Sequence, residues 1–591
     1  MKDFMKMVGA TMLGIFLMSI VMFLFAVIGI AGITASEGTT SVDDNTILRI
    51  SLNGALTERS EKAPLAMLTG ESEGLALDEL LEAIEKASKN DKVRGIYLEG
   101  GALSGSPAML QEVRQALLRF KKESKKFIVA YADTYSQSSY YICSVADEIS
   151  LNPSGILDWH GLASEIMFYT DVMKKLGVKM QVYKVGSFKS AVEPFINTEM
   201  SEANRQQITS YLGSIWGNMT KEISASRKIS VDHLNALADS MLTFSTTDVL
   251  LKEKMIDCVR YKDEMRAKLK EKVEIDEDDA LTFVSPAVMA KVAGNVEKHS
   301  DCIGIYYAYG DIVDDNGTSI MGGSGNSIAP APMNTELDKL MKDESIKAVV
   351  IRVNSGGGSA YASEQIWRQV SLLKEKKPVV ISMGGMAASG GYYISCNASR
   401  IVAEPTTLTG SIGIFGMVPD ASELLNEKVG FHYDMVKTNE HADFGTMSRP
   451  MNDAEGRLMQ KHIEQGYDLF TRRVAEGRKI SQDSVKVIGE GRVWTGEQAL
   501  KIGLVDELGD LQAAIKAAAK LAKTNEYCIA SYPAPASWFD SLLGDKAQPD
   551  FMEAQLKQTL GEWYEPLQWM RSIQHQNPIQ ARMPYYLKIE D

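Results

Sequence analysis

Apolar residues follow three rhythms along the chain. The first is one uncharged run from Val8 to Ile33, mostly Leu, Ile, Val, Met, Phe and Ala. Roughly 26 residues at about 1.5 Å each span about 39 Å, enough to cross a hydrocarbon core of about 30 Å with tilt. The run exceeds the ~7–15 apolar residues of a cleavable signal, so it predicts an anchor that stays on the chain. Lys2 and Lys6 precede it and Glu37, Asp43 and Asp44 follow it. Positive charge stays on the cytoplasmic side, so the body is expected beyond the cytoplasmic membrane, in the periplasm or at the cell exterior of a bacterium.

The second rhythm is short β-branched blocks, such as "KAVVIRV" at 347–353 and "KPVVISM" at 377–383. Continuous apolar runs of this length predict parallel strands buried on both faces. The third lies between them: "SEQIWRQVSLLKEKK" has Ile366, Val370 and Leu373 at helical spacing and lysines in its last turn, as a helix C-terminus favours. Strand, helix, strand is a βαβ crossover, so the expected class is α/β.

These blocks occur twice. "DKVRGIYL" at 91–98 matches "ESIKAVVI" at 344–351, "YYIC" at 140 matches "YYIS" at 392, "SRKIS" at 226–230 matches "GRKIS" at 477–481, and the "MID" ending at Asp257 matches the "LVD" ending at Asp506. The offsets are 253, 252, 251 and 249. Four collinear matches with so little drift imply two homologous halves. The organisation predicted is a start and anchor at 1–36, a first unit at 46–262, a connecting region at 263–299, a second unit at 300–510 and a less regular extension at 511–591.

Composition narrows the function. With 63 basic and 77 acidic residues the net charge is −14, which argues against nucleic acid as a partner. The five cysteines (Cys143, Cys258, Cys302, Cys396, Cys528) lie far apart without C-x-x-C spacing, so neither a zinc site nor a disulfide scaffold is indicated and buried thiols are expected.

Candidate chemistry sits where the halves differ. The second half has "VNSGGGSAYASEQI" after its first strand where the first half has "LEGGALSGSPAMLQ". Gly356 to Gly358 at a strand-to-helix turn either form a plain turn or expose amides to an oxyanion; no P-loop pattern supports a phosphate cradle. In "GGMAASGGYYISC", Ser389 precedes a helix start, where a serine is either a helix cap or a nucleophile beside unpaired N–H groups. The first half has "SQSSYYIC" at 136–143, with Gln137 at the matching position. A base is then needed. His160 and His441 lack a convincing acidic orienter, whereas Lys189 in "YKVGSFKSAVEPF" has an apolar setting that would keep its amine neutral. Lys189 lies 52 positions after Gln137, and 52 positions after Ser389 stands His441. One half keeps the lysine and the other the serine, as if each copy of an ancestral unit had lost one group.

"NSGGGSAYASEQI", "MAASGGYYIS", "TLTGSIGI" and "GSFKSAVEPF", with the anchor and tandem units, resemble the signal peptide peptidase family (SppA, protease IV) of the long two-unit type, over nearly the whole chain. The resemblance implies two tandem units of the Clp protease/crotonase-like fold, a serine peptidase with a Ser/Lys dyad, a membrane-anchored homo-oligomer (a tetramer) and signal-peptide remnants as substrates. Ser389 would be the nucleophile, Lys189 the general base and Ser411 the hydroxyl that orients the lysine. Amides at Gly357, Gly358 and Gly390 would hold the oxyanion, although Gly356 stands where the family pattern N-S-P-G-G has proline. No metal or cofactor is implied. Two rivals remain at this point: an anchored scaffold with a decayed site, and a crotonase-like acyl-CoA enzyme.

Overall fold

Ala348 and Val350 face one apolar cluster while Val349, Ile351 and Val353 face another. That two-sided burial is why the block reads as an unbroken apolar run rather than an alternation. The computed structural model describes residues 41–60, 74–292, 299–315, 326–534 and 579–583, and before residue 41 only positions 14 and 18. The anchor assigned to residues 8–33 thus falls outside the described residues. Among those described, no helix is long and apolar enough to cross a membrane.

The repeats fold alike. The first half has a six-stranded sheet in the order Phe283–Val284, Thr46–Ser51, Val93–Glu99, Phe127–Tyr135, Glu148–Leu157, Cys258–Val259, every pair parallel. In the second half Cys528–Tyr532, Cys302–Tyr309, Ile346–Ser355 and Val379–Ala388 follow in the same sense. Arg400–Ala403 and Glu507–Leu508 continue that sheet. Helices Pro107–Ser124 and Ala360–Lys376 supply the equivalent crossovers. The chain is two tandem α/β units.

Edge strands depart from the sequence-based boundaries. Phe283–Val284, in the connecting region, completes the first sheet beside Ile47 and Leu48. Cys528–Tyr532, in the extension, does the same beside Cys302–Tyr309. Helix Leu511–Ala522 packs Leu511, Ala514, Ile515 and Ala518 on that sheet. Short edge strands with mixed polarity carry little pattern of their own, so they escape a periodicity reading. The cysteine expectation is corrected here: Cys302 and Cys528 are bonded, with Cα atoms 4.4 Å apart. They are direct partners on neighbouring parallel strands, a proximity that a sequence separation of 226 conceals. Cys143 and Cys396 are buried free thiols, and Cys258 is free and half-buried.

The halves meet across a third sheet, ordered Ser327–Ile328, Asp311–Ile312, Gly357–Ser359, Ile579–Arg582, Phe415–Asp420, Lys179–Lys184. Its last pair joins the halves: Lys179–Lys184 runs antiparallel to Phe415–Asp420 over six residue pairs. The junction also buries Arg352 between Glu58 and Glu112 of the first half.

Candidate active site

Ser389 lies where the strand Val379–Ala388 turns into the helix Gly390–Ser395, with φ 55° and ψ −112°. Non-glycine residues seldom take this conformation, and it persists only where surroundings enforce it. Here the Ser389 N–H donates to the Gly410 carbonyl at 2.8 Å and the Ser389 carbonyl accepts from the Tyr393 N–H at 2.8 Å. Of the two sequence alternatives, the cap is not what forms: the Ser389 hydroxyl makes no bond to the helix N-terminus. Its Oγ instead accepts a hydrogen bond from Lys189 Nζ at 2.8 Å.

Lys189 belongs to the other half. It follows the strand Lys179–Lys184, whose pairing with Phe415–Asp420 carries it across the junction. The lysine Nζ also donates to Ser411 Oγ at 3.1 Å and to the Ser411 carbonyl at 3.2 Å. Ser411 is fixed in turn by its own N–H, which donates to the Arg492 carbonyl at 2.7 Å. All three side chains are fully buried. Burial holds the Lys189 amine well below its ordinary value near 10.5, and no carboxylate contributes to offset it. A neutral amine can accept a proton, so this cluster can deprotonate the serine it touches.

The first half's equivalent position is plugged. Gln137 donates through Nε2 to the Gly161 carbonyl at 2.8 Å, and its Oε1 accepts from the N–H groups of His160 (3.0 Å) and Gly161 (2.9 Å). The His160 ring sits 2.9 Å from Asp158 and the His441 ring 3.3 Å from Glu455. Neither histidine joins the Ser389 cluster.

Of the expected oxyanion glycines, Gly357 donates its N–H to Ser355 Oγ at 3.1 Å. Its φ is 100°, and a Cβ there would sit 2.6 Å from the Gly390 nitrogen and collide with the Ala581 carbonyl oxygen. Only glycine at 357 leaves that space open. Gly358 lies opposite Ala581 in the strand Ile579–Arg582. The structure thus brings Gly357, Gly358 and Gly390 to one small space, and it puts a stretch of the chain's own tail there.

Several residues at the site carried no sequence signal. Gly491 packs on Lys189: a Cβ at 491 would come within 2.6 Å of Lys189 Cβ and 2.7 Å of its Cα and N. Gly413 leaves room for the lysine stem in the same way, 3.2 Å from Cδ. Gln207 braces the lysine loop, donating through Nε2 to the Phe188 carbonyl (3.1 Å) and Ser190 Oγ (2.9 Å) and accepting from the Val493 N–H across the junction (3.2 Å). Each acts only through three-dimensional proximity to a residue more than 200 positions away, which no local pattern records. Gly491→Ala is expected to lower kcat about a hundredfold with little change in KM. Its φ of 79° strains any side chain, and displacement of a catalytic group by about 1 Å costs on the order of 10²-fold. Steady-state kinetics on a peptide ester measure that split, and an equal loss through KM would place Gly491 outside the lysine's support.

Acyl transfer from a serine oxygen is the chemistry such a cluster can perform. Residues 120–276 and 371–525, one stretch in each half, match Peptidase family S49; the chain belongs to that family and is a serine peptidase. Protease 4 of Haemophilus influenzae is 33% identical over 540 residues, covering 85% of this chain and 84% of that protein. Protease 4 of Salmonella typhi is 34% identical over 537 residues, 86% of this chain and 84% of its own. The chloroplastic serine protease SPPA of Arabidopsis thaliana is 33% identical over 451 residues, 75% of this chain and 65% of its own.

Proposed function

We propose that the protein is a membrane-anchored, homo-oligomeric endopeptidase of the Clp protease/crotonase-like fold that degrades cleaved signal peptides and similar apolar peptides on the outer face of the cytoplasmic membrane. Ser389 is its nucleophile, Lys189 its general base and Ser411 the group that orients the lysine. One observation carries this reading: a fully buried lysine from one half donates at 2.8 Å to a serine hydroxyl held in a strained turn of the other.

The reaction runs in two acyl transfers. Neutral Lys189 takes the Ser389 proton as Oγ bonds to the peptide carbonyl carbon. The carbonyl oxygen becomes an oxyanion held by amides beside Gly357 and Gly390. Collapse breaks the C–N bond, and the lysine ammonium returns its proton to the leaving amine. A water deprotonated by Lys189 then cleaves the ester, giving the carboxylic acid and restoring Ser389. The apolar run at 8–33 supports the membrane location and its flanking charges support the outward-facing body.

Hydrolysis of an apolar peptide ester tests the assignment: the intact protein turns it over, and Ser389→Ala loses on the order of 10⁶-fold in kcat. A variant that keeps wild-type turnover removes Ser389 from the reaction. Proteolytic accessibility of the body in spheroplasts but not in intact cells tests the topology.

A further inference from the structure

The loop 489–494 meets Lys189 from the second half, and its arginine has no acidic partner. Arg492 is half-buried, its Nε is buried without a hydrogen bond, and among the described residues no carboxylate pairs with it. It has two ring faces instead: its guanidinium carbon lies 4.9 Å from the centre of the Phe188 ring and 4.2 Å from that of Trp494. Building on the assignment of Lys189 as the base, we propose that Arg492 is a positioning residue for the reaction. Stacked between Phe188 and Trp494, it locks the lysine's support to the serine's and so holds Lys189 Nζ within reach of Ser389 Oγ.

Both rings adjoin the reacting groups. Phe188 precedes Lys189 in the chain, and its N–H donates to the Glu490 carbonyl at 3.0 Å. Trp494 packs on Gly410, where a Cβ would come within 2.9 Å of its Cδ1, and the Gly410 carbonyl is the acceptor for the Ser389 N–H. The tryptophan is itself fixed by its indole N–H, which donates to the Ile488 carbonyl at 3.0 Å, and by strand pairing with Thr409. Through its backbone, Arg492 also accepts the Ser411 N–H. A flat guanidinium lies well between two ring faces, and cation–π attraction favours it there. One residue therefore touches the supports of all three groups.

The first half builds the same loop without an arginine. The offset of 249 that matches "MID" with "LVD" sets Thr243 against Arg492, and each loop has a left-handed residue at the equivalent place, Met241 at φ 55° and Glu490 at φ 51°. Thr243 Oγ1 accepts from the Trp159 N–H at 3.0 Å and donates to Asp158 at 2.7 Å. Trp159 is the counterpart of Ser411 at the offset of 252. The brace on that N–H is thus kept in both halves, whereas the stacked cation stands beside Ser389 and not beside Gln137. A cation set partly out of water without an acid costs stability, and the loop closes without one where no serine reacts.

Lys184, Glu193, Glu490 and Arg492 carry the charges on the segments bordering Lys189, and none of them contributes to the amine's lowered value, which burial alone sets. The arginine therefore acts by holding the lysine in place and not by its field.

Full-length Arg492→Leu is compared with the wild type for hydrolysis of a short apolar peptide ester, with kcat and KM read separately from about pH 6 to pH 10. Loss of about 10- to 100-fold in kcat, with KM changed by less than about threefold, is the expected result for a reacting group displaced by about 1 Å. A loosened lysine is better hydrated, so the variant's rate should level off at a higher pH than the wild type's, with a smaller deficit at pH 10 than at pH 7. Arg492→Lys should stay impaired, because an ammonium has no flat face to stack; recovery of wild-type kcat there would assign the effect to charge and overturn the stack. Combining Phe188→Leu with Arg492→Leu should cost little more than either change alone, and losses that multiply would overturn a shared stack. Wild-type kcat and pH profile in Arg492→Leu, with only a lower melting temperature, would make the arginine a packing residue and overturn the proposal. Should Arg492→Leu not fold, Phe188→Leu and Arg492→Lys decide by the same split of kcat from KM. Lys189→Ala tells the two readings apart: full activity in that variant removes the base and the positioning role together, whereas an inactive Lys189→Ala beside a fully active Arg492→Leu removes the positioning role alone.

Discussion

Lys189→Ala is expected to reduce hydrolysis of an apolar peptide ester by roughly 10²- to 10⁴-fold, the usual contribution of a positioned general base. Lys189→Arg should be no better, because a guanidinium stays protonated at any working pH and has no lone pair to offer. The wild-type pH profile carries the same argument. Burial lowers the amine's affinity for protons, and the neutral form is the active one, so the rate rises with pH through that lowered value and levels off well below 10.5. A rate still climbing at pH 10 would show a lysine of ordinary basicity and remove the reason for its burial.

The same burial has a stability consequence of definite sign. Between the lowered value and 10.5 the unfolded chain holds a proton on Lys189 that the folded chain does not. Stability therefore rises with pH across that window, and below it the fold bears the full cost of the buried amine. Lys189→Met removes the cost. That variant is expected to be inactive, and its urea midpoint at neutral pH should equal or exceed the wild type's; such a trade of stability against activity is common at active sites.

How much of this was legible in the sequence depended on what kind of contact carried it. Two-faced burial of parallel strands writes itself into every residue of a block such as "KAVVIRV", so the α/β class and the doubling stood out. Ser389 by itself was ambiguous between cap and nucleophile. The comparison of halves pointed to Lys189, and the structure brings those two groups together although 200 positions separate them. By contrast Gly491 is ordinary in sequence, and its importance lies in the missing Cβ next to Lys189. The strand Ile579–Arg582 is four residues of mixed polarity in an irregular tail, and its place is set by two strand edges that lie 160 positions or more upstream. The pairing of Cys302 with Cys528 was hidden for the same reason. Local periodicity reports burial; it does not report which distant backbone completes a sheet.

Arg352→Ala is expected to destabilise the protein by about 3–5 kcal/mol, the range for stranding the partner of a buried ion pair. Arg352 lies in the strand Ile346–Ser355, which leads into the glycine turn at 356–358. Its Nε donates to Glu58 at 3.0 Å, its Nη1 to Glu112 and, at 3.1 Å, to Ser382 Oγ, and its Nη2 to Glu58 at 3.2 Å. Both glutamates come from the first half and are buried, so the arginine ties the halves together next to the amides that border Ser389. Burial already pushes the Glu112 carboxyl up to about 7, with Arg352 opposing the rise. Without the guanidinium, Glu112 would hold its proton to still higher pH in the fold while titrating normally in the unfolded chain. Stability of the variant then falls as pH rises above the ordinary carboxylate range. The deficit, read from urea midpoints, should therefore be larger at pH 8 than at pH 5. Adding Glu58→Gln and Glu112→Gln to Arg352→Met removes every buried charge of the cluster, and most of the lost stability should return. Failure of that triple variant to recover, at either pH, would mean that Arg352 holds the halves together by its packing and not by charge.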